Sequence, residues 1–437
     1  MEKFNIKNRI LIGITLFSMF FGAGNLIFPP FLGAQAGKSM PAALIGFGLS
    51  AVVLPVLGVV AVTRSGGLYK LASRVHPKFA FVYIMILYLA IGPCLAIPRT
   101  ASTSFSMAVT PFFDGSWLPV FQLVYTIIFF FAALIVAMHP EKLTEYLGKR
   151  LTPILLILIT AVFFVCLLGG ANHIAVPVPA YSEGAVVKGF LDGYQTMDTL
   201  AALNFGMIIA MNIRAKGVEK EQFVTRETIH AGWIAGAVLL SVYAMLAFVG
   251  MSSSGVFAGA SNGTETLTAM VSLLFGKTGA VILAVIFVIA CFNTCVGLFS
   301  CCGKYFNSVF PKISYKSWVF MFAAVSAVIA NVGLDAILKF SVPVLNAIYP
   351  IAILLIIFSC LQKWIADCRS AHVGAVTIGG IASIIAVLDG LEITIPVLTP
   401  LMQNIPFYKA GFGWIIPSAA GLFAGLVIDR LCRKRRI

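Results

Sequence analysis

The sequence is short of charge. Only 11% of its 437 residues are Asp, Glu, Lys or Arg, against about 25% in soluble domains, so the chain cannot cover a water-facing surface of its own. Long polar stretches are missing as well, which excludes a disordered chain and a separate soluble module. The five histidines (His76, His139, His173, His230 and His372) are scattered near the ends of apolar runs and form neither a metal cluster nor a proton wire. A phosphate-cradling loop is also lacking. Gly37-Lys38-Ser39 and Gly276-Lys277-Thr278 carry its ending, but Leu32 and Val271 stand where its first glycine belongs, so nucleotide-driven pumping is excluded. No nucleophile, acid–base pair or metal set gathers at one interface, and an enzyme is not expected.

What is present is apolar: 60% of the residues are hydrophobic. A membrane-spanning helix needs ~20 mostly apolar residues. Such runs occur near 9–36, 41–63, 79–110, 117–138, 151–171, 185–212, 229–251, 278–303, 317–334, 341–362, 372–389 and 411–429, which predicts an all-α polytopic membrane protein of twelve spans. The net charge of +14 need not mean nucleic acid, because the basic residues are sorted by side. With both termini on one side, alternate loops there hold 24 Lys and Arg, the other side holds 5, and Arg99 falls toward the outer end of span three. Both termini are therefore expected in the cytoplasm of a cell-membrane protein. The basic tail 430–437 is expected to lie on anionic lipid, with no nucleic-acid partner. The nine cysteines lie in spans or at cytoplasmic ends, where free thiols are expected.

Polar and helix-breaking residues at membrane depth are costly and become functional candidates. Two segments concentrate them. In the first span, Gly22, Gly24 and Asn25 let the backbone leave the helix, and Pro29-Pro30 deny it an unbroken ladder afterwards. In the sixth, Asp192 to Thr199 places two carboxylates and several hydroxyl and amide groups in the membrane. Breaks in spans one and six occupy matching positions if the chain holds two repeats of five spans, 9–171 and 185–362, followed by two added helices over 372–429. That is the plan of a secondary transporter, with half-helix N-termini facing an anion and freed carbonyls facing a cation. Residues 1–437 are then one membrane transport domain.

Gly22-Ala23-Gly24-Asn25-Leu26-Ile27-Phe28-Pro29-Pro30, Ala96-Ile97-Pro98-Arg99-Thr100 and Gly193-Tyr194-Gln195-Thr196-Met197-Asp198 closely resemble the bacterial branched-chain amino acid:cation symporters, the LIVCS or BrnQ-type carriers. The resemblance covers essentially the whole chain. It implies a LeuT-like 5+5 inverted repeat with two further helices, and uptake of leucine, isoleucine and valine with Na⁺ or H⁺ as the coupling ion and no cofactor. A rival solute on the same fold is another small neutral molecule, such as an aromatic amino acid or a nucleobase. The oligomeric state is not legible.

The residue chemistry can be set against that implication. Amides of Gly22, Ala23, Gly24 and Asn25, heading a half-helix, can donate to a substrate carboxylate. Carbonyls between Gln195 and Thr199, with the Asp198 carboxylate, can take an ammonium group or a cation. Phe20, Phe21, Met197 and Phe205 can wall an aliphatic side chain. For the cation, an oxygen cage is wanted; Gly22, Asn25 and Asp198 can contribute, and the resemblance adds Asn293 and Thr294 in span eight as its remaining wall. Arg99 and Asp192 are candidates for a gate or a charge pair. The outer segment 252–277, too apolar for a plain water-exposed loop, is expected to dip into the outer vestibule.

Overall fold

The computed structural model describes residues 5–113, 115–169, 174–255, 263–362 and 368–434, and no strand occurs among them. Residues 256–262 of the outer segment and 435–437 of the basic tail lie outside the described residues. Among the described residues, nine helical stretches are long and apolar enough to cross a membrane, ten when Ala185–Tyr194 and Asp198–Arg214, bent by 46°, count as one span. The sequence led to twelve, and the difference lies in length. Ile6–Phe20 has 15 residues and Tyr315–Ala330 has 16, each short of a full crossing. Ala23–Ser65 continues as a single 43-residue helical stretch, where the apolar pattern divides into the end of span one and span two.

The chain forms two compact units. The first runs from the N-terminus to Val59 and from Leu89 to Leu338; the second comprises Val60–Tyr88 and the chain from Lys339 onward. The first unit contains α1 (Ile6–Phe20), α2 (Ala23–Ala36), α3 (Met40–Gly48), α4 (Ala96–Ala108), α5 (Leu118–Ala137), α6 (Ala185–Tyr194), α7 (Asp198–Arg214), α8 (Glu221–Ser253), α9 (Gly263–Phe275) and α10 (Lys277–Val309).

Helix α1 starts where the Asn5 side chain accepts the Lys7 N–H at 3.1 Å, a cap that satisfies one of the orphan donors of the first turn. In α5 the composition is apolar all round, and Ile128 and Phe131 are 62% and 64% exposed, as expected of a helix that faces lipid.

Close packing within this unit runs through small residues, since Gly lets two backbones approach where side-chain burial offers little gain in lipid. A Cβ on Gly33 would stand 1.9 Å from the Ala247 carbonyl oxygen, and one on Gly250 would stand 1.9 Å from that of Pro30, which presses α8 against α2. Helices α3 and α6 meet in the same way, with Gly46 against the Val186 carbonyl and Gly189 against that of Ala43. Helix α9 lies in the outer segment expected to dip inward, and its Gly263 abuts the Ile27 carbonyl of α2.

In the second unit, Arg369–Gly390 and Ile415–Lys434 pack with Gly374 against the Gly421 carbonyl. The Asp429 carboxylate caps the start of the former helix, accepting the Ser370 and Ala371 N–H groups at 3.2 Å each.

Candidate functional site

The site begins at the gap between α1 and α2. Phe21 and Gly22 are extended, at φ −74°, ψ 91° and φ −127°, ψ −151°, so the helical ladder stops in the middle of an apolar run. It restarts because the Asn25 side chain folds back, its Oδ1 accepting the Gly22 N–H at 3.0 Å. No acidic residue occupies the first turn of α2, so its leading amides keep their positive potential. Further along, Pro29 and Pro30 cannot donate to the carbonyls of Asn25 and Leu26.

The second break separates α6 from α7. Helix α6 ends at Tyr194, and Met197 takes up the left-handed region at φ 65°, unfavourable for a side chain without a short polar group. That strain, of order 1–2 kcal/mol, persists only where surrounding contacts hold it. Here the Thr196 hydroxyl donates to the Gly193 carbonyl at 2.9 Å, and the Thr199 hydroxyl donates to the Ser50 carbonyl at 3.1 Å.

The two breaks face each other. Asn25 Nδ2 donates to Asp198 Oδ2 at 2.6 Å, the Tyr243 hydroxyl donates to the same oxygen at 2.7 Å, and Asn25 and Tyr243 are themselves in contact. Asp198 and Asn25 are each 1% exposed, so the carboxylate relies on protein donors, Asn25 and Tyr243 among them, in place of water. Arg99 on α4 donates from one guanidinium nitrogen to the Gln195 carbonyl at 3.0 Å and lies over the Phe28 ring at 5.9 Å. Thr294 on α10 reaches the first break: a Cβ on Gly22 would stand 2.6 Å from its Oγ1. Met19, Phe20, Gly22, Ala23, Gly24, Asn25, Arg99, Thr196, Met197, Asp198 and Thr294 line one cavity, with Ile91, Ala201 and Leu298 among its apolar wall.

Other candidates stand behind this wall. Phe205 packs on Phe20 with ring centroids 5.2 Å apart, and Phe21 stacks between Phe17 and Tyr243. Thr199 is turned to Ser50, and Gln195 contributes its carbonyl to Arg99. Asn293 is fully buried on α10, and neither amide atom, nor the Thr294 hydroxyl, has a hydrogen-bond partner among the described residues.

Two expectations are corrected. Arg99 is 3% exposed and sits in the cavity rather than toward the outer end of its span. Asp192 is not its partner; Lys188, one helical turn away, and the Tyr181 hydroxyl take both of its oxygens. Burial together with the Asp192 charge pushes the Tyr181 phenol well above its ordinary range.

Residues 5–432 match the family model described as branched-chain amino acid transport protein. The chain belongs to that family. It is 39% identical to the branched-chain amino acid permease BrnQ of Bacillus subtilis, covering 98% of both chains. Identity is 36% to the permease BraB of the same species, over 97% of this chain and 96% of that one. The branched-chain amino acid transport system 2 carrier protein of Pseudomonas aeruginosa is 37% identical over 98% and 97%. These are transport proteins, not enzymes.

Among solved structures, the chain resembles Mhp1, a nucleobase-cation-symport-1 family transporter, with a TM-score of 0.61 at 12% identity over 98% of this chain and 93% of that one. It also resembles MhsT in complex with L-phenylalanine, with a TM-score of 0.55 at 15% identity over 95% and 97%. At such identities the likeness is one of fold.

For this member of the branched-chain family, sequence reasoning passed over Tyr243. A tyrosine in the middle of an apolar span was the available signal, since buried phenols need a partner. Ser50 and Thr100 gave weaker signals, because single hydroxyls in spans are common helix-packing groups.

Proposed function

We propose that this chain is a secondary active symporter that imports leucine, isoleucine and valine across the cell membrane with Na⁺ or H⁺ by alternating access. The observation that carries the reading is the meeting of two helix breaks at one buried cavity, in a chain of this family. The cavity supplies what a neutral amino acid requires: leading amides of α2 for the carboxylate, the Asp198 carboxylate for the ammonium group, and an apolar wall for the side chain. Phe20 and Met197 contact the substrate, while Phe21, Thr199 and Phe205 support that wall from behind.

The coupling cation is placed between the Gly22–Asn25 break, Asp198 and the α10 pair Asn293 and Thr294. The closeness of Thr294 to Gly22 and the unpartnered polar atoms on α10 support this placement. An oxygen-rich donor set suits Na⁺. The reading includes twelve spans arranged as two inverted repeats, 9–171 and 185–362, with two added helices over 372–429 and both termini in the cytoplasm. The paired breaks and the fold likeness to Mhp1 and MhsT support it.

The test is uptake of labelled leucine into proteoliposomes, challenged with isoleucine, valine, phenylalanine, uracil and glutamate. Competition by isoleucine and valine alone is the expected result. Equal competition by phenylalanine or uracil overturns the branched-chain reading.

A further inference from the structure

An arginine at membrane depth is expensive, so the burial of Arg99 calls for a physical reason. Its guanidinium is held on three sides: one nitrogen donates to the Gln195 carbonyl at 3.0 Å, the Phe28 ring lies beneath it at 5.9 Å, and a Cβ on Gly24 would come within 2.7 Å of its other terminal nitrogen. Gly24 belongs to the first turn of α2, so guanidinium and helix N-terminus bring positive potential to the same part of the cavity. Asp198, in electrostatic reach of Arg99, supplies the single negative charge among the cavity-lining residues. A guanidinium and a carboxyl side chain in one buried cavity match the two charged ends of a zwitterion.

We propose that Arg99 is the specificity-determining residue for the substrate's α-carboxylate, receiving it together with the leading amides of α2. The inference rests on the amino-acid transport reading and deepens it. A planar guanidinium held at fixed orientation reads a carboxylate by directional, charge-assisted hydrogen bonds, which an alcohol in its place replaces with a weaker one to a neutral oxygen. A substrate with a second carboxylate finds no second arginine among the cavity-lining residues, so glutamate is excluded for the same reason.

The experiment compares leucine with leucinol, which keeps the amine and side chain but replaces the carboxylate, as inhibitors of labelled leucine uptake. In the unaltered protein, leucinol should inhibit about tenfold to a hundredfold more weakly than leucine. In Arg99→Gln, leucine affinity should fall by about tenfold or more while leucinol inhibition changes by less than about twofold. Arg99→Lys keeps the charge but loses the planar fork, and should show the same selective loss at smaller size. It decides the matter if the glutamine variant is not recovered folded.

Parallel losses for leucine and leucinol in either variant would make Arg99 a staple between Gln195 and Gly24, and the proposal would fall. Equal inhibition by both compounds in the unaltered protein overturns it as well. Absence of leucine uptake in the unaltered protein removes the transport reading itself, and this inference with it.

Discussion

Asp198 is held in place by two donors that share one of its oxygens, and the Tyr243 hydroxyl is one of them. Tyr243→Phe keeps the ring contacts with Phe21 and Phe47 and removes the hydroxyl, with its bond to Asp198 and its contact with Asn25. The expected cost is about 1–2 kcal/mol at the site, a drop of roughly tenfold in leucine kcat/KM, with folded yield unchanged. Measured kinetics equal to the parent would remove Tyr243 from the site. Asp198→Asn replaces the charge while keeping the shape, and accumulation against a gradient is expected to be lost; unchanged accumulation would take the carboxylate out of the coupling. At this scale Gly22, Asn25 and Asp198 were legible because polar and flexible residues in a membrane span are conspicuous, while Thr294 entered through the family resemblance. Tyr243 was not, since a tyrosine also reads as an ordinary aromatic packing residue. Whether Arg99 would pair with Asp192 was left open by the sequence; Lys188 lies one turn back on the same helix as Asp192, and this local contact outweighs a distant one.

The elements are held by close backbone approaches as much as by side chains. Within α8, two glycines differ sharply in the space beside them: a Cβ at Gly250 meets the Pro30 carbonyl oxygen at 1.9 Å, whereas one at Gly232 meets nothing nearer than Val59 at 3.6 Å. Gly250→Ala should therefore force α8 away from α2 and lower the yield of folded protein, at a cost of several kcal/mol. Gly232→Ala should be neutral or stabilise by about 0.5–1 kcal/mol through better helix propensity. Thermal melting of the two variants in detergent checks the contrast, and equal melting temperatures would contradict the packing account. The break between α1 and α2 was legible because Gly, Asn and Pro act locally on the backbone. Helix α9 was harder to anticipate, as Gly263–Phe275 is too short to read as a span and its partner on α2 is remote in sequence.

At the scale of the whole chain, charge is sparse within the apolar runs, with Arg99 and Asp198 the buried exceptions at the cavity, and the basic residues are sorted between the loops that join those runs. The 24 basic residues on one side against 5 on the other predict that a reporter fused after residue 437 is read from the cytoplasm, and a signal from the opposite side of the membrane would contradict that orientation. Membership of the helical membrane class was legible from composition alone. The division into twelve crossings belongs to the proposed reading, because helices of 15 and 16 residues and a continuous stretch of 43 do not divide as the apolar pattern does, and length and composition alone mark nine or ten among the described residues. Energetically, one cation moving through ~150 mV supplies ~3.5 kcal/mol, and each tenfold of substrate gradient requires ~1.4 kcal/mol, so one cation suffices for a gradient of a few hundredfold.

The most direct test is accumulation of labelled leucine in proteoliposomes with membrane potential clamped, under a Na⁺ gradient alone and then under a pH gradient alone. Cation-coupled symport at the α1–α2 and α6–α7 breaks predicts accumulation above the external concentration with one of the two gradients, abolished by Asp198→Asn. Equilibration without accumulation under both gradients, in vesicles holding folded protein, would contradict it.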